Sequence, residues 1–335
     1  MQHKNQPEPT RRTLLRAGAV AGTAAGLGAV GILGAPAASA STAGGEGPTR
    51  KPPYPLAVTD TSHCTPEVAA IFRRVFTAKS EHDTAAFMSC FSTTNARYID
   101  ACLGVAITGW QAINTTFTSI FAGKPADAVS YPLAILGDTR SAVVEFVDSP
   151  AFFSQEIRAL SSVTFDGHHK ITRWVDYWDG RSSLIPNTVS SSYPTDFGDS
   201  EQNADPAVVR AANRLQTAFA AGDAAAAVAL MSVDVVHEDM AAHTRVRGQF
   251  QAQRYYTRAL GQLPYGPGAA LVHAEGGRHG GGYEWSAAPV AAPMRRGHTG
   301  IELDETGKIS RLTVVYDSSL LSYASYRSLA GLAAE

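Results

Sequence analysis

The sequence predicts an α+β protein made of two tandem copies of one helix-then-sheet domain. Three observations carry that expectation. First, "KITRWVDYWDG" (170–180) returns as "KISRLTVVYDS" (308–318), with the same Lys-Ile-x-Arg opening and aromatic-Asp close. Second, a helix-start signal recurs: Thr65-Pro66 is an N-cap followed by proline at the first helical position, and Asp205-Pro206 repeats it 140 residues on (205 − 65). Third, the chain has 335 residues, 44% of them hydrophobic, which is enough for two independent cores.

The chain opens with a targeting pattern. Thr10 to Arg16 is a polar stretch carrying the pair Arg11-Arg12; an Ala/Gly/Val/Leu run follows to Leu33, then the small-residue site Ala38-Ser39-Ala40. Residues 1–40 therefore read as a twin-arginine signal peptide, cleaved after Ala40, and the mature protein as secreted and extracellular. The competing reading is a transmembrane anchor, but the apolar run is diluted by Gly and Ala, so no stable membrane anchor is expected after cleavage. Residues 41–62, rich in Gly, Ser, Thr and Pro, read as a flexible leader.

Order is expected from Thr65. Val68, Phe72 and Val75 recur at helical spacing, as do Val208, Ala212 and Leu215, and Asp83 and Asp223 each open a second, short helix. The offset becomes 139 at Gly109/Gly248 and Glu145/Glu284, and 138 at Asp166/Asp304, Lys170/Lys308 and Asp179/Asp317. Slips of one residue between elements are what duplicated domains accumulate in loops. In copy one, "ARYIDACL" reads as a strand. "GWQAINTTFTSIFAG" reads as a helix with Ile113, Phe117 and Phe121 on one face. The stretches "SAVVEFVDS", "ALSSVTFDG" and "KITRWVDYWDG" read as further strands, and "DGHHK" and "DETGK" are equivalent hairpin connections. Helices first and an antiparallel sheet afterwards place the helices on one sheet face. The domains are 63–185 and 206–327, joined by a Ser/Pro/Asn/Asp-rich linker, 186–205.

Several classes are set aside. A net charge of −2, with no basic cluster beyond the first residues, gives no footprint for nucleic acid. Cys64, Cys90 and Cys102 form no disulfide framework, although a Cys90–Cys102 pair stays open. His168-His169 sit in a turn, and His273, His279 and His298 show no ligand spacing, so no metal is expected. "GGRHGGG" (276–282) lacks the Lys-Ser/Thr and helix of a phosphate loop and reads as a flexible connection; no cofactor motif occurs.

Three stretches carry a family resemblance: Tyr98-Ile99-Asp100, Gly109-Trp110-Gln111-Ala112-Ile113, and Lys170 to Asp179. The second copy keeps His237-Glu238-Asp239, Gly248 and Tyr316-Asp317 but loses the Ala-Ile pair. Each half resembles the nuclear transport factor 2-like fold and, within it, the SnoaL-like polyketide cyclase group, over residues 65–185 and 206–325. The resemblance implies two cone-shaped domains of helices and a curved antiparallel sheet, also called cystatin-like, with a pocket between sheet and helices. It implies chemistry without a cofactor on a hydrophobic small molecule. It also admits an intramolecular pseudo-dimer, because such domains often pair through their sheets. The proline that commonly follows the first Asp is absent from both copies. The superfamily spans cyclases, ketosteroid isomerases, epoxide hydrolases, dehydratases and plain binding modules, so fold alone selects no reaction.

Strand parity names the candidates, since residues two apart share a face. Trp174, Asp176 and Trp178 share one face of the terminal strand; in copy two that face becomes Leu312, Val314 and Tyr316. An Asp between two indoles is expected to be desolvated and suited to proton transfer, with Trp174, Trp178 and Tyr316 touching ligand. The competing reading puts Asp176 at a rim or in a bond to a neighbouring strand. Tyr98 with Asp100, and His237 with Asp239, pair a phenol or imidazole with a carboxylate, the equipment of acid/base catalysis; as strand-end aspartates, Asp100 and Asp239 equally suit backbone capping. Glu145 and Glu284 are expected on the outer sheet face. The leading function is an exported enzyme performing cyclisation, isomerisation or epoxide opening on a polyketide-like molecule. The alternative is a tandem module that binds a hydrophobic ligand or a protein partner without turnover.

Overall fold

The computed structural model describes residues 54, 58–181, 193–200 and 203–333; the twin-arginine segment lies outside them. Strand β1 (Asp60–Cys64) is followed by helices α1 (Pro66–Ser80) and α2 (Thr84–Met88), strands β2 (Arg97–Asp100) and β3 (Val105–Thr108), and helix α3 (Trp110–Phe121). Strands β4 (Ser130–Gly137) and β5 (Ser141–Asp148), the turn of helix α4 (Pro150–Phe153), and strands β6 (Ile157–Phe165) and β7 (Ile171–Trp178) complete the first unit. The second repeats the order: α5 (Pro206–Ala220), α6 (Ala224–Val228), β8 (Met231–Asp239), β9 (Thr244–Arg247), α7 (Gln249–Ala259), β10 (Ala270–Gly277), β11 (Gly280–Ser286), β12 (Arg296–Leu303) and β13 (Ile309–Tyr316), then a last helix α8 (Tyr323–Gly331).

The helix starts form where the local chemistry dictates. Thr65 accepts from the Val68 amide at 3.4 Å and Asp205 from the Ala207 amide at 2.8 Å. Asp83 and Asp223 cap α2 and α6 in the same way, each at 2.9 Å. Gly109 and Gly248 stand at the N-caps of α3 and α7 with φ of +92° and +82°, a backbone conformation that a Cβ resists.

The sheets run β1-β4-β5-β6-β7-β2-β3 and β10-β11-β12-β13-β8-β9, so the two units share one strand order apart from β1. Three elements differ from the sequence reading. β1 begins within the stretch read as leader, crosses into the first domain at His63, and pairs parallel with β4. β3 and β4 complete the sheet at positions where the sequence pattern predicts no strand. The sheet is mixed rather than wholly antiparallel, because β2 pairs parallel with β7 and β8 with β13. That pairing is available because a helix and a three-strand meander separate the partners in sequence.

Each sheet packs one face on its own helices. In the first unit Phe72, Phe76, Phe91 and Phe146 surround Trp174, with ring centroids 6.0–6.4 Å apart. The opposite faces meet each other: Ile99, Val143, Leu160, Val175 and Tyr177 of the first sheet form one buried cluster with Val315 of the second and Met240 just after β8, closed by Phe197 from the connecting segment. The two units therefore pack sheet on sheet. Their repeated terminal aspartates brace that arrangement reciprocally. Asp179 accepts from the Ser318 amide at 2.9 Å, and Asp317 accepts from the Gly180 amide at 3.1 Å. Burial of Asp179 among these groups pushes its carboxyl up to about 6. Among the described residues no helix is long and apolar enough to cross a membrane.

Candidate functional site

In the first unit the parallel register sets Asp100 opposite Asp176 and Tyr98 opposite Trp174. The face bearing Trp174, Asp176 and Trp178 looks toward the helices, and Asp176 is buried. Its Oδ1 accepts from the Ser161 hydroxyl at 2.5 Å and from the Trp174 indole at 2.6 Å, while Tyr98 donates to Oδ2. Three donors on one carboxylate compensate much of the cost of removing it from water. Asp100 serves two purposes: Oδ1 accepts from the Leu103 amide at 2.8 Å, capping the turn, and the Trp178 indole donates to the carboxylate at 3.1 Å. The indoles thus act as hydrogen-bond donors to carboxylates inside a filled aromatic core. The Tyr98 ring meets Phe117 edge-on at 5.1 Å.

The second unit is built differently. Val314 occupies the place of Asp176, and the hydroxyl and carboxylate groups enter from elsewhere. β8 supplies His237 and Asp239, two residues apart on one face; α7 supplies Tyr255 and Tyr256; the loop after it supplies Tyr265; β11 supplies Tyr283 and β13 Tyr316. All seven side chains are fully buried. Asp239 Oδ2 accepts from Tyr265 and Tyr316, each at 3.2 Å, and Oδ1 accepts from the amides of Ala241 (3.1 Å) and Ala242 (2.8 Å). His237 places Nδ1 3.0 Å from the Tyr256 hydroxyl and Nε2 3.5 Å from that of Tyr265. Tyr265 therefore links imidazole and carboxylate.

Burial governs the electrostatics here. It pushes the His237 imidazolium down to about 4, so the ring is neutral near pH 7. It pushes Asp239 up to about 7, against the lowering effect of the Ala242 amide and the two tyrosine hydroxyls. A neutral imidazole and a carboxyl poised between its two forms stand on either side of one phenol. The hydroxyls of Tyr255 and Tyr283 are buried and lack an aligned hydrogen-bond partner; Tyr255 lies near Tyr265, and Tyr283 near Thr299. Such groups are available to a bound carbonyl or hydroxyl oxygen.

Several sequence expectations change. The terminal-strand face of copy two is apolar but for Tyr316, as expected, but hydroxyls from α7, the loop after it and β11 join His237 and Asp239 beside that face. Tyr255, Tyr256, Tyr265 and Tyr283 were not among the candidates, although a signal existed: at the 139-residue offset, Tyr256 stands where copy one has Phe117 and Tyr283 where it has Val144. Glu145 and Glu284 do lie on the outer sheet faces, but those faces form the seam between the units. There Arg158 pairs with Glu145 at 2.5 Å, and Arg173 and Arg296 pair with Glu284 at 2.6 and 2.7 Å. The "GGRHGGG" stretch is the β10–β11 hairpin rather than a flexible connection. A Cβ on Gly282 would sit 2.5 Å from the Thr299 carbonyl oxygen and 2.9 Å from Val143 of the first unit. His273 and His298 are fully buried in the same seam. Cys64, Cys90 and Cys102 are all free thiols, and Cys102 lies 3.2 Å from Asp317 Oδ2.

No protein-family model matches the sequence, and no curated protein matches it. Among solved structures, the chain is similar to an NTF2-like protein of unknown function from Burkholderia xenovorans (17% identity, covering 36% of this chain and 95% of that one, TM-score 0.29). It is similar to a steroid delta-isomerase from Pseudomonas aeruginosa (15%, 40% and 93%, TM-score 0.32). A third is a SnoaL-like protein of unknown function from Burkholderia thailandensis (15%, 35% and 98%, TM-score 0.30). The solved structures that this α+β chain resembles are thus described as NTF2-like and SnoaL-like proteins, with cystatin-like folds beside them.

Proposed function

We propose that the protein is a cofactor-independent acid/base enzyme acting on a hydrophobic, oxygen-bearing small molecule, and that its second unit holds the reacting groups. The observation that carries this reading is the pairing of a neutral His237 with an Asp239 that titrates near pH 7, joined through Tyr265 in a water-poor interior. In that role His237 takes a proton from carbon or water, Asp239 returns one, and the hydroxyls of Tyr255 and Tyr283 hold the oxygen on which charge develops. Enolisation followed by cyclisation or isomerisation uses these groups directly; epoxide opening uses the same pair on water. Substrate entry requires the glycine- and proline-rich segment 260–268, which carries Tyr265, to move aside.

Hydrogen–deuterium exchange at the α-carbon of 2-tetralone, followed by proton NMR in heavy water, tests proton transfer without knowledge of the natural substrate. The wild type should accelerate exchange over buffer, and His237→Gln and Asp239→Asn should each slow it by roughly a hundredfold. Exchange at the buffer rate with every protein would favour the second reading, a tandem binding module. That reading has its own support: the interior of the first unit is filled with aromatic rings and its Asp176 is enclosed by donors.

We further propose export through the twin-arginine route, on the strength of Arg11-Arg12 and the run that follows. Replacing both arginines by lysine should retain the precursor in the cytoplasm, seen by immunoblot of cell fractions; undiminished secretion would exclude this route.

A further inference from the structure

The seam between the sheets holds a cluster that the acid/base reading leaves unused. His273 and Glu275 are two apart on β10 and share its outer face. In the register His273 stands opposite Glu284 on β11, and Glu284 opposite His298 on β12. All four side chains are fully buried. His273 Nδ1 lies 3.3 Å from the Asp199 carbonyl oxygen, and because a carbonyl only accepts, Nδ1 carries a proton and, in the neutral ring, Nε2 presents a lone pair. That lone pair faces Glu275 Oε2 at 3.8 Å. One ligand atom from each of His273, Glu275 and Glu284 lies within 4.8 Å of the other two. His273 Nε2 and Glu275 Oε2 have no hydrogen-bond partner among the described residues; Glu284 Oε1 has an ion-pair contact with Arg173 but no aligned hydrogen bond. With the imidazole neutral, His273 Nε2 and Glu275 Oε2 are two acceptors facing each other in a desolvated seam, and they repel one another unless a proton, a water molecule or a cation sits between them.

We propose that His273, Glu275 and Glu284 bind a zinc ion in the seam between the two sheets. One imidazole and two carboxylates are donors that suit zinc, and the groups around them are arranged as supports for such ligands. The Asp199 carbonyl orients His273, His298 Nε2 hydrogen-bonds Glu275 Oε1, and Arg173 and Arg296 hold Glu284 in place. Ligand atoms around zinc lie about 3.4 Å apart, so modest side-chain rotation closes the present spacing. The ion would join β10 to β11 beneath the first sheet and so stiffen the interface rather than take part in proton transfer at His237.

The test uses the full chain, purified without a polyhistidine tag, stripped with chelator and titrated with zinc chloride. One zinc per chain should survive gel filtration, read by elemental mass spectrometry, and excess zinc should raise Tm by several degrees. Cobalt chloride in place of zinc should give a visible absorption band. His273→Ala and Glu275→Gln should lose both responses. His63→Ala should keep them; it disrupts the half-exposed Asp60–His63–Glu302 cluster, the other group of described residues spaced for a cation. If His273→Ala and Glu275→Gln do not fold, the wild-type stoichiometry and cobalt band together with the His63→Ala result still decide the matter. A wild type that retains no zinc, shows no band and keeps its Tm has a proton or a water molecule between His273 and Glu275, and the proposal is overturned. It is equally overturned if His273→Ala binds zinc like the wild type, or if His63→Ala alone abolishes binding.

Discussion

Asp176 and Asp239 are buried carboxylates in equivalent layers of the two units, yet their neighbours differ in kind. Asp176 receives two side-chain hydroxyls and an indole, all fixed on sheet strands. Asp239 shares one oxygen between two tyrosines, one of which also reaches His237. The second arrangement has a measurable pH signature. The His237 imidazolium drops from 6.5 to about 4 on folding, so its contribution to stability is present above pH 6.5 and is lost as pH falls through about 4. Asp239 rises from 3.8 to about 7, so its contribution is present below pH 3.8 and is lost as pH rises through about 7. Between roughly pH 4 and 6.5 the two nearly cancel in the wild type. Removing one partner unmasks the other. Relative to wild type, Asp239→Asn should gain stability as pH rises from about 4 to 7, and His237→Gln should lose ground as pH rises from about 4 to 6.5. Each slope should approach about 1.4 kcal/mol per pH unit, read from urea titrations at several pH values. Taking differences from wild type cancels other raised carboxyls, such as Glu302 at about 7 and Asp179 at about 6. Parallel pH profiles for the two variants would remove the basis for assigning them opposite proton roles.

At the level of elements, Gly109 isolates a backbone cause. A Cβ added there meets nothing within 4 Å, yet φ stands at +92°. Gly109→Ala should therefore destabilise by about 1–3 kcal/mol through backbone strain alone, measured by chemical denaturation. A neutral result would mean the turn into α3 relaxes to an ordinary conformation. This glycine, its counterpart Gly248 and the caps Thr65, Asp83, Asp205 and Asp223 were legible in the sequence because a cap is a local requirement, met within three residues. The facing of Trp174, Asp176 and Trp178 was legible because alternation is equally local. β1, β3 and β4 were not: two of them lie at sheet edges, and β3 is four residues long, too short for a period to declare itself. The cluster of His273, Glu275, Glu284 and His298 was illegible for a stronger reason. Its members become neighbours through cross-strand register, which no spacing rule along the chain encodes. Tyr256 of α7 escaped because its meaning appears only when the copies are aligned and the phenyl ring of Phe117 is seen to have gained a hydroxyl.

For the whole molecule, duplication turned a sheet face that a lone unit would show to water into an internal seam. Val143, Leu160, Val175 and Tyr177 lie at 0–2% exposure because the second sheet covers them. Charges follow the same logic. Arg173 is enclosed, and its strong partner, Glu284, belongs to the other unit; Arg158 bridges Glu145 of its own unit and Glu238 of the other. Cutting the chain in the segment between the units should therefore expose an apolar face and strand a buried guanidinium at once. Residues 58–200 expressed alone should aggregate or pair through that face, whereas 58–200 and 203–333 produced together should copurify as a 1:1 complex. Light scattering and gel filtration distinguish these outcomes. The complex should weaken when Glu284 is replaced by Gln, by about 3–5 kcal/mol, since Arg173 and Arg296 then lose their shared carboxylate in a desolvated seam. A first unit that is monomeric and fully folded by itself would show that the seam is dispensable. The reciprocal bonds of Asp179 and Asp317 would then be a consequence of the duplication rather than one of the interactions that keep the two sheets together.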